Sequence, residues 1–226
     1  MTEIIRKAID KGQKSLSEYE SKKIIENAGV LISNEALAHS RDEAAALAKK
    51  IGFPVVLKGC AHTVTHKTEM GMVQLKLGNE DEVAKAYDEI TKKGIDLDGV
   101  LVQEMIQGDR EFVIGLTRDP QFGPCVMFGL GGIFTEVLKD VSFRIAPITE
   151  IDAEEMINEI KTKKLLDEFR GSPAVDKSAL IKALIGIGDL GIENDEISEI
   201  DINPLIIDGN KPIAVDALVV LNNSKN

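Results

Sequence analysis

Between Phe53 and Leu77 the chain reads FPVVLKGCAHTVTHKTEMGMVQLKL. Phe53-Pro-Val-Val-Leu-Lys58 is a short apolar run ending in a lysine, the pattern of a buried strand that delivers Lys58 to its end. Beyond it stand Gly59, His62, Thr63, Thr65, His66, Lys67 and Thr68, a loop of donors and small groups that Gly71 closes. Met72 to Leu77 alternate as a return strand. A lysine at a strand end, followed by hydroxyls, imidazoles and glycines, suits an anionic ligand such as a phosphate chain. A polar hairpin with a surface lysine is the competing reading.

Elements on either side alternate in type. Residues 1–11 carry apolar side chains on one helical face, and Ser17-Glu-Tyr-Glu20 predicts a helix running to about Ala28, ended by Gly29. Ser40-Arg-Asp-Glu43 opens an Ala-rich helix, and Asn79-Glu-Asp-Glu82 opens another. After them the spacing predicts strands at 100–106, 110–118, 124–128, 133–138 and 142–145. Helices follow at 156–160, with Asp152 and Glu155 as caps, at 161–169 and at 177–190. Strands at 197–207 and 213–220 end the chain, joined through Asp208-Gly-Asn, a hairpin signal. The pattern is α+β in two lobes, 1–97 and 98–226, with a boundary near Gly94 to Gly99.

Charge excludes two classes of partner. The chain of 226 residues carries 38 acidic against 27 basic side chains, a net charge of −11. That opposes nonspecific binding to nucleic acid, which needs a basic surface, and it opposes a polybasic membrane anchor. No apolar run reaches spanning length and no signal-peptide core opens the chain, so a cytoplasmic location is expected. Cys60 and Cys125 lie far apart without CxxC spacing, which suggests neither a zinc site nor a disulfide.

Three further constellations carry chemistry. Gly129-Leu-Gly131-Gly132 is neither GxGxxG nor a P-loop, yet three glycines after a strand let backbone N–H groups approach a ligand. Glu104 ends one apolar strand and Glu111 lies in the next, where a carboxylate can accept from a ribose hydroxyl or an adenine amino group. Asp201-Ile-Asn203-Pro204 and Ala214-Val-Asp216-Ala217 end neighbouring strands and offer oxygen ligands of the kind that hold Mg²⁺ beside nucleotide phosphates. His62 and His66 share the loop; a neutral imidazole is a nucleophile near pH 7 and can carry a phosphoryl group.

The segments GFPVVLK, HKTEMG, LVQEM, GDREFVIGLTRDPQFGPCVMFGLGGIFTEVLKDVSFRIAP and EIDINPL…AVDAL resemble the ATP-grasp subunit of the ADP-forming acyl-CoA synthetases. That family includes the ADP-forming acetate–CoA ligases and is related to succinyl-CoA synthetase. The resemblance spans about 16–221. It implies an ATP-grasp fold, in which two α+β lobes clamp a nucleotide, and interconversion of acyl-CoA, ADP and phosphate with acid, CoA and ATP. It implies Mg²⁺ as cofactor, ATP or ADP as substrate, and a CoA-binding alpha-type partner subunit in a heterotetramer.

Residue by residue, the resemblance puts the phosphohistidine on His66, in a loop of about 58–71. It makes Lys58 the phosphate lysine, Glu104 the hinge acid, Glu111 the ribose-side acid, and Asn203 with Asp216 the Mg²⁺ ligands. Arg144 and Glu136, with Gly131 and Gly132, fall where the family faces the phosphates. The chain departs from the family's SPDIxHKSDxGGV in reading CAHTVTHKTEMGMV: Met72 replaces a glycine, and His62 is a second imidazole and the alternative acceptor. An ATP-grasp carboxylate–amine ligase and a nucleotide-binding regulatory subunit without turnover are the rival functions.

Overall fold

A computed structural model of the chain describes residues 2–63, 67, 70–132, 139–168 and 171–222. Contacts divide the chain into two units: a smaller one of Leu16–Tyr19 with Ser33–Met105, and a larger one of Met1–Ser15, Glu20–Ile32 and Ile106–Asn226.

The smaller unit is built on a four-stranded antiparallel sheet in the order β1-β4-β2-β3. Its strands are β1 (Glu35–Ala38), β2 (Val55–Cys60), β3 (Val73–Leu77) and β4 (Gly99–Glu104). Two helices, α3 (Arg41–Ile51) and α4 (Glu80–Thr91), pack on one face. Each begins at a side chain that accepts an orphan N–H: Ser40 from Glu43, Asn79 from Glu82. Ala44, Ala48, Val83, Ala86 and Ile90 of these helices bury against Val55, Leu57, Val100 and Val102 of the sheet. Because strand side chains alternate, Val56, Lys58 and Cys60 belong to the other face of β2, and all three are buried.

In the larger unit the sheet runs β10-β8-β5-β6-β7, with β9 paired to β8. These strands are β5 (Glu111–Asp119), β6 (Gly123–Leu130), β7 (Val141–Ile145), β8 (Ile197–Asp208), β9 (Lys211–Ala214) and β10 (Leu218–Leu221). Helices α5 (Glu150–Glu159) and α6 (Lys177–Glu193) cover one face, where Val126 and Phe128 point inward and the rings of Phe112 and Phe128 stack 5.6 Å apart. Helix α1 (Thr2–Asp10) and most of α2 (Glu18–Asn27) also belong here. Backbone bonds bind both ends of their segment to the last strands: Leu221 N–H donates to the Lys14 carbonyl and Ala214 N–H to that of Leu31, each at 2.8 Å. Among the described residues no helix is long and apolar enough to cross a membrane.

Several expectations are corrected. A boundary at 97/98 would leave β4 outside the first lobe, but β4 bonds to both β1 and β2, so the contacts part after Met105 instead. Residues 1–15 and 20–32 group with the C-terminal part. Helix α5 starts at the Thr149 cap, with Asp152 three residues inside as its capping-box partner. The segment expected as a helix at 161–169 is a 3₁₀ helix over Lys161–Leu166, whose first N–H groups donate to the Asp140 carboxylate at 2.7 and 2.8 Å. The last strand is two strands, broken at 215–217. The strand expected at 133–138 lies outside the described residues.

Candidate functional site

Lys58 sits within β2, opposite Val73 and Leu101, and is 8% exposed. Its face of the sheet is covered by the segment that opens α2. The ammonium donates to Oε1 of Glu18 at 2.7 Å, and Lys67 donates to Oε2 of the same carboxylate. The Glu18 side chain is only 2% exposed, so one sequestered anion serves two cations. Sequence reasoning missed this residue, taking Ser17–Glu20 only as a helix start. Cys60 lies nearby, and burial pushes its thiol up to about 11 despite a backbone bond at Tyr19, which leaves no thiolate to act as nucleophile at neutral pH.

His62 stands with Nδ1 3.9 Å from the Asp98 carboxylate, beyond hydrogen-bond range. His66, the expected phosphohistidine, and Glu136, expected near the phosphates, lie outside the described residues.

Glu104 closes β4. Its carboxylate accepts from the Asn34 N–H at 2.6 Å, and its own N–H donates to the Asn34 carbonyl at 2.9 Å. The expected hinge acid is thus fixed through one oxygen to the backbone before β1.

In the larger unit, Glu111 and the glycine turn come together. Gly131 N–H donates to the Glu111 carbonyl at 2.9 Å. A Cβ on Gly131 would stand 2.5 Å from the Phe112 carbonyl oxygen, and one on Gly132, whose φ is +70°, would stand 2.3 Å from Glu111 Oε2. Only glycine lets this turn lie against the start of β5.

The expected Mg²⁺ ligands are neighbours through the backbone: Val215 N–H donates to the Pro204 carbonyl at 3.2 Å, which brings Asn203-Pro204 beside Val215-Asp216. Asp216 sits in the break between β9 and β10, and its carboxylate accepts from Ala217 N–H. Asp201, named from sequence only as the start of its motif, and Glu199, which the sequence reading missed, complete the surroundings. Asp201, two residues before Asn203 on the same face of β8, is pushed up to about 6 by burial and by the charges of Glu199 and Asp216. A shallow pocket of about 190 Å³ opens on this face, lined by Gly115, Thr117, Met127, Phe143, Glu199 and Asp201. Among the described residues no three His, Cys, Asp or Glu side chains converge to hold a metal alone. The crowded carboxylates with Asn203 fit a Mg²⁺ that takes its remaining ligands from phosphate oxygens.

Arg144 is not brought to this face. It pairs with Val126 across β6 and β7, on the helix-covered side, and donates to Glu159 at 2.5 Å and to Glu155 at 3.2 Å. Those two carboxylates hold it fully protonated. Strand alternation, which the residue type does not reveal, puts it on the side of the sheet where α5 supplies its two partners.

The sequence matches the ATP-grasp domain family over residues 7–221. It is 43% identical over 225 residues to the acetate–CoA ligase (ADP-forming) I subunit beta of Pyrococcus furiosus, covering 97% of each chain. It is 39% identical to acetate–CoA ligase (ADP-forming) I of Archaeoglobus fulgidus, of which it spans 33%. Among solved structures it is similar to the dinucleotide forming acetyl-coenzyme A synthetase 1 of Ca. Korarchaeum cryptofilum with coenzyme A and Ca-AMPCP. The TM-score is 0.92 and the identity 47%, with 97% of this chain and 99% of that one covered. That synthetase is also known with a phosphorylated phosphohistidine segment in a site I orientation, and with Mg-AMPPCP and the segment pointing towards the nucleotide binding site.

Proposed function

The chain belongs to the ATP-grasp family, among the beta subunits of ADP-forming acyl-CoA synthetases, and we propose that it relays a phosphoryl group through His66 to Mg-ADP. The observation that carries this reading is the match along 97% of both chains to a subunit of an ADP-forming acetate–CoA ligase. The chain spans only a third of the Archaeoglobus relative, and in this reading the CoA-binding work falls to an alpha-type partner in a heterotetramer.

In the transfer to nucleotide, the P–N bond of phosphohistidine breaks and a β-phosphate oxygen of ADP forms the new P–O bond. The electron pair of the broken bond stays on the imidazole nitrogen. Catalysis of such a step is mostly positioning and charge neutralisation. Lys58 contributes a fixed cation for the phosphates, and Glu111 and Glu104 accept from the nucleoside. The turn at Gly131 and Gly132 gives close backbone approach. Asn203 and Asp216 would hold Mg²⁺, which when bound neutralises the nucleotide oxygens. Glu136 stays with the phosphates in this reading; Arg144 does not.

Labelled Mg-ATP runs the half-reaction backwards and tests it. The full chain should gain an acid-labile, alkali-stable phosphoryl group, and His66→Asn should gain none. A phosphoenzyme formed by His66→Asn at the wild-type rate overturns the assignment and turns attention to His62.

A further inference from the structure

The relay leaves the most sequestered carboxylate near Lys58 without a role. We propose that Glu18 is a positioning residue for phosphoryl transfer, holding the strand lysine Lys58 and the loop lysine Lys67 on its two oxygens. The proposal rests on the reading of His66 as carrier, since Lys67 follows His66 directly in the chain.

Glu18 is the first residue of α2, where the helix N-terminus favours a negative charge. Its side chain is 2% exposed, and those of Lys58 and Lys67 are 10% and 11% exposed. Away from water, charges attract more strongly and are costly to leave unpaired. The three charges therefore hold one another in place.

A carboxylate accepts on two oxygens that point in different directions. Glu18 uses both, one for each ammonium, and so sets the separation between a lysine fixed in β2 and a lysine of the loop. The trio carries one net positive charge, which favours an arriving phosphoryl dianion. A glutamine carries no charge and puts an NH₂ donor where the second acceptor oxygen stood, so the ammonium bound there loses its partner.

A purely structural ion pair would cost stability when broken and leave the rate alone. The rate constant for phosphoryl uptake from saturating labelled Mg-ATP is therefore measured on the full chain, alongside thermal unfolding. The variants are wild type, Glu18→Gln, Lys67→Met and the double variant. Each single variant should lose about tenfold or more in rate, since small misplacements of reacting groups cost that much. The double variant should lose little beyond the worse single one, because the two side chains act as one device.

Wild-type rates in either folded single variant overturn the proposal, as do losses that multiply in the double variant. Should Glu18→Gln fail to fold, Lys67→Met, which leaves the Glu18–Lys58 pair intact, decides on its own. A wild-type chain that takes up no phosphoryl group overturns the relay itself, and the role of Glu18 with it.

Discussion

The Glu104 carboxylate and the Asn34 backbone are bonded in both directions: Asn34 N–H donates to Oε1 at 2.6 Å, and Glu104 N–H donates to the Asn34 carbonyl at 2.9 Å. A side chain assigned to nucleotide contact is thus oriented by the sheet's own edge. Glu104→Ala removes the acceptor and leaves a backbone N–H to solvent, a loss of about 1 kcal/mol for a bond to a charged group at a partly exposed site. In a chain of this size that lowers the melting temperature by about 2–4 °C. Calorimetry should show a larger loss in Mg-ADP affinity than the stability change accounts for.

Gly131 and Gly132 fail differently when given a side chain. The Cβ of Gly131→Ala meets the backbone of Phe112, which cannot move without breaking β5, and the variant should lose several kcal/mol or not fold. The Cβ of Gly132→Ala meets the movable carboxylate of Glu111, so the fold survives at a cost of about 1–2 kcal/mol for the left-handed backbone. Denaturant unfolding with Mg-ADP titration separates the two: Gly132→Ala should stay folded and bind nucleotide more weakly.

Asp201 makes the ligand-free chain less stable at neutral pH. Burial and the charges of Glu199 and Asp216 raise its carboxyl from 3.8 to about 6. Below the lower value it is protonated folded or unfolded and costs nothing. Between the two the penalty grows, and above the higher it is complete. Asp201→Asn should therefore stabilise the chain above pH 6 by about 1–3 kcal/mol and have little effect near pH 4. Melting curves at the two pH values check the sign. Saturating Mg-ADP should shrink the gain, because a bound cation relieves the same repulsion.

The two thiols should react in a fixed order. Cys60 is buried and its thiol is pushed up to about 11, whereas Cys125, also raised by burial and by Asp119, is partly exposed. Iodoacetamide at pH 7.5 should label Cys125 in the native chain and reach Cys60 only after unfolding, as peptide mass spectrometry would show.

Local signals were legible, and long-range ones were not. Ser40 and Asn79 cap their helices because a side-chain oxygen three residues before an N–H is a sequence-local arrangement. Asp152 competed with Thr149 for the same cap, and nothing within the segment ranks them. The break at 215–217 falls at Asp216, the one charged residue of an otherwise apolar run, which the sequence reading placed within a continuous strand. Glu18 meets its lysines 40 and 49 positions away, and a helix start is all its neighbours reveal. Arg144 belonged to a matching segment, but which face of a strand a residue takes depends on a register that only the folded sheet fixes.

Arg110 draws together parts of the larger unit that are far apart in sequence. The residue is 8% exposed, and its guanidinium donates to the carbonyls of Leu165 and Asp167 at 3.1 and 3.4 Å, and to those of Pro173 and Gly209 at 3.0 Å each. The stretch leading into α6 and the β8–β9 hairpin therefore share one anchor. Their amide protons should exchange with solvent in step rather than separately, and Arg110→Lys, a point charge without the planar fork, should speed both together. A single side chain thus decides whether this region opens loop by loop or as one body.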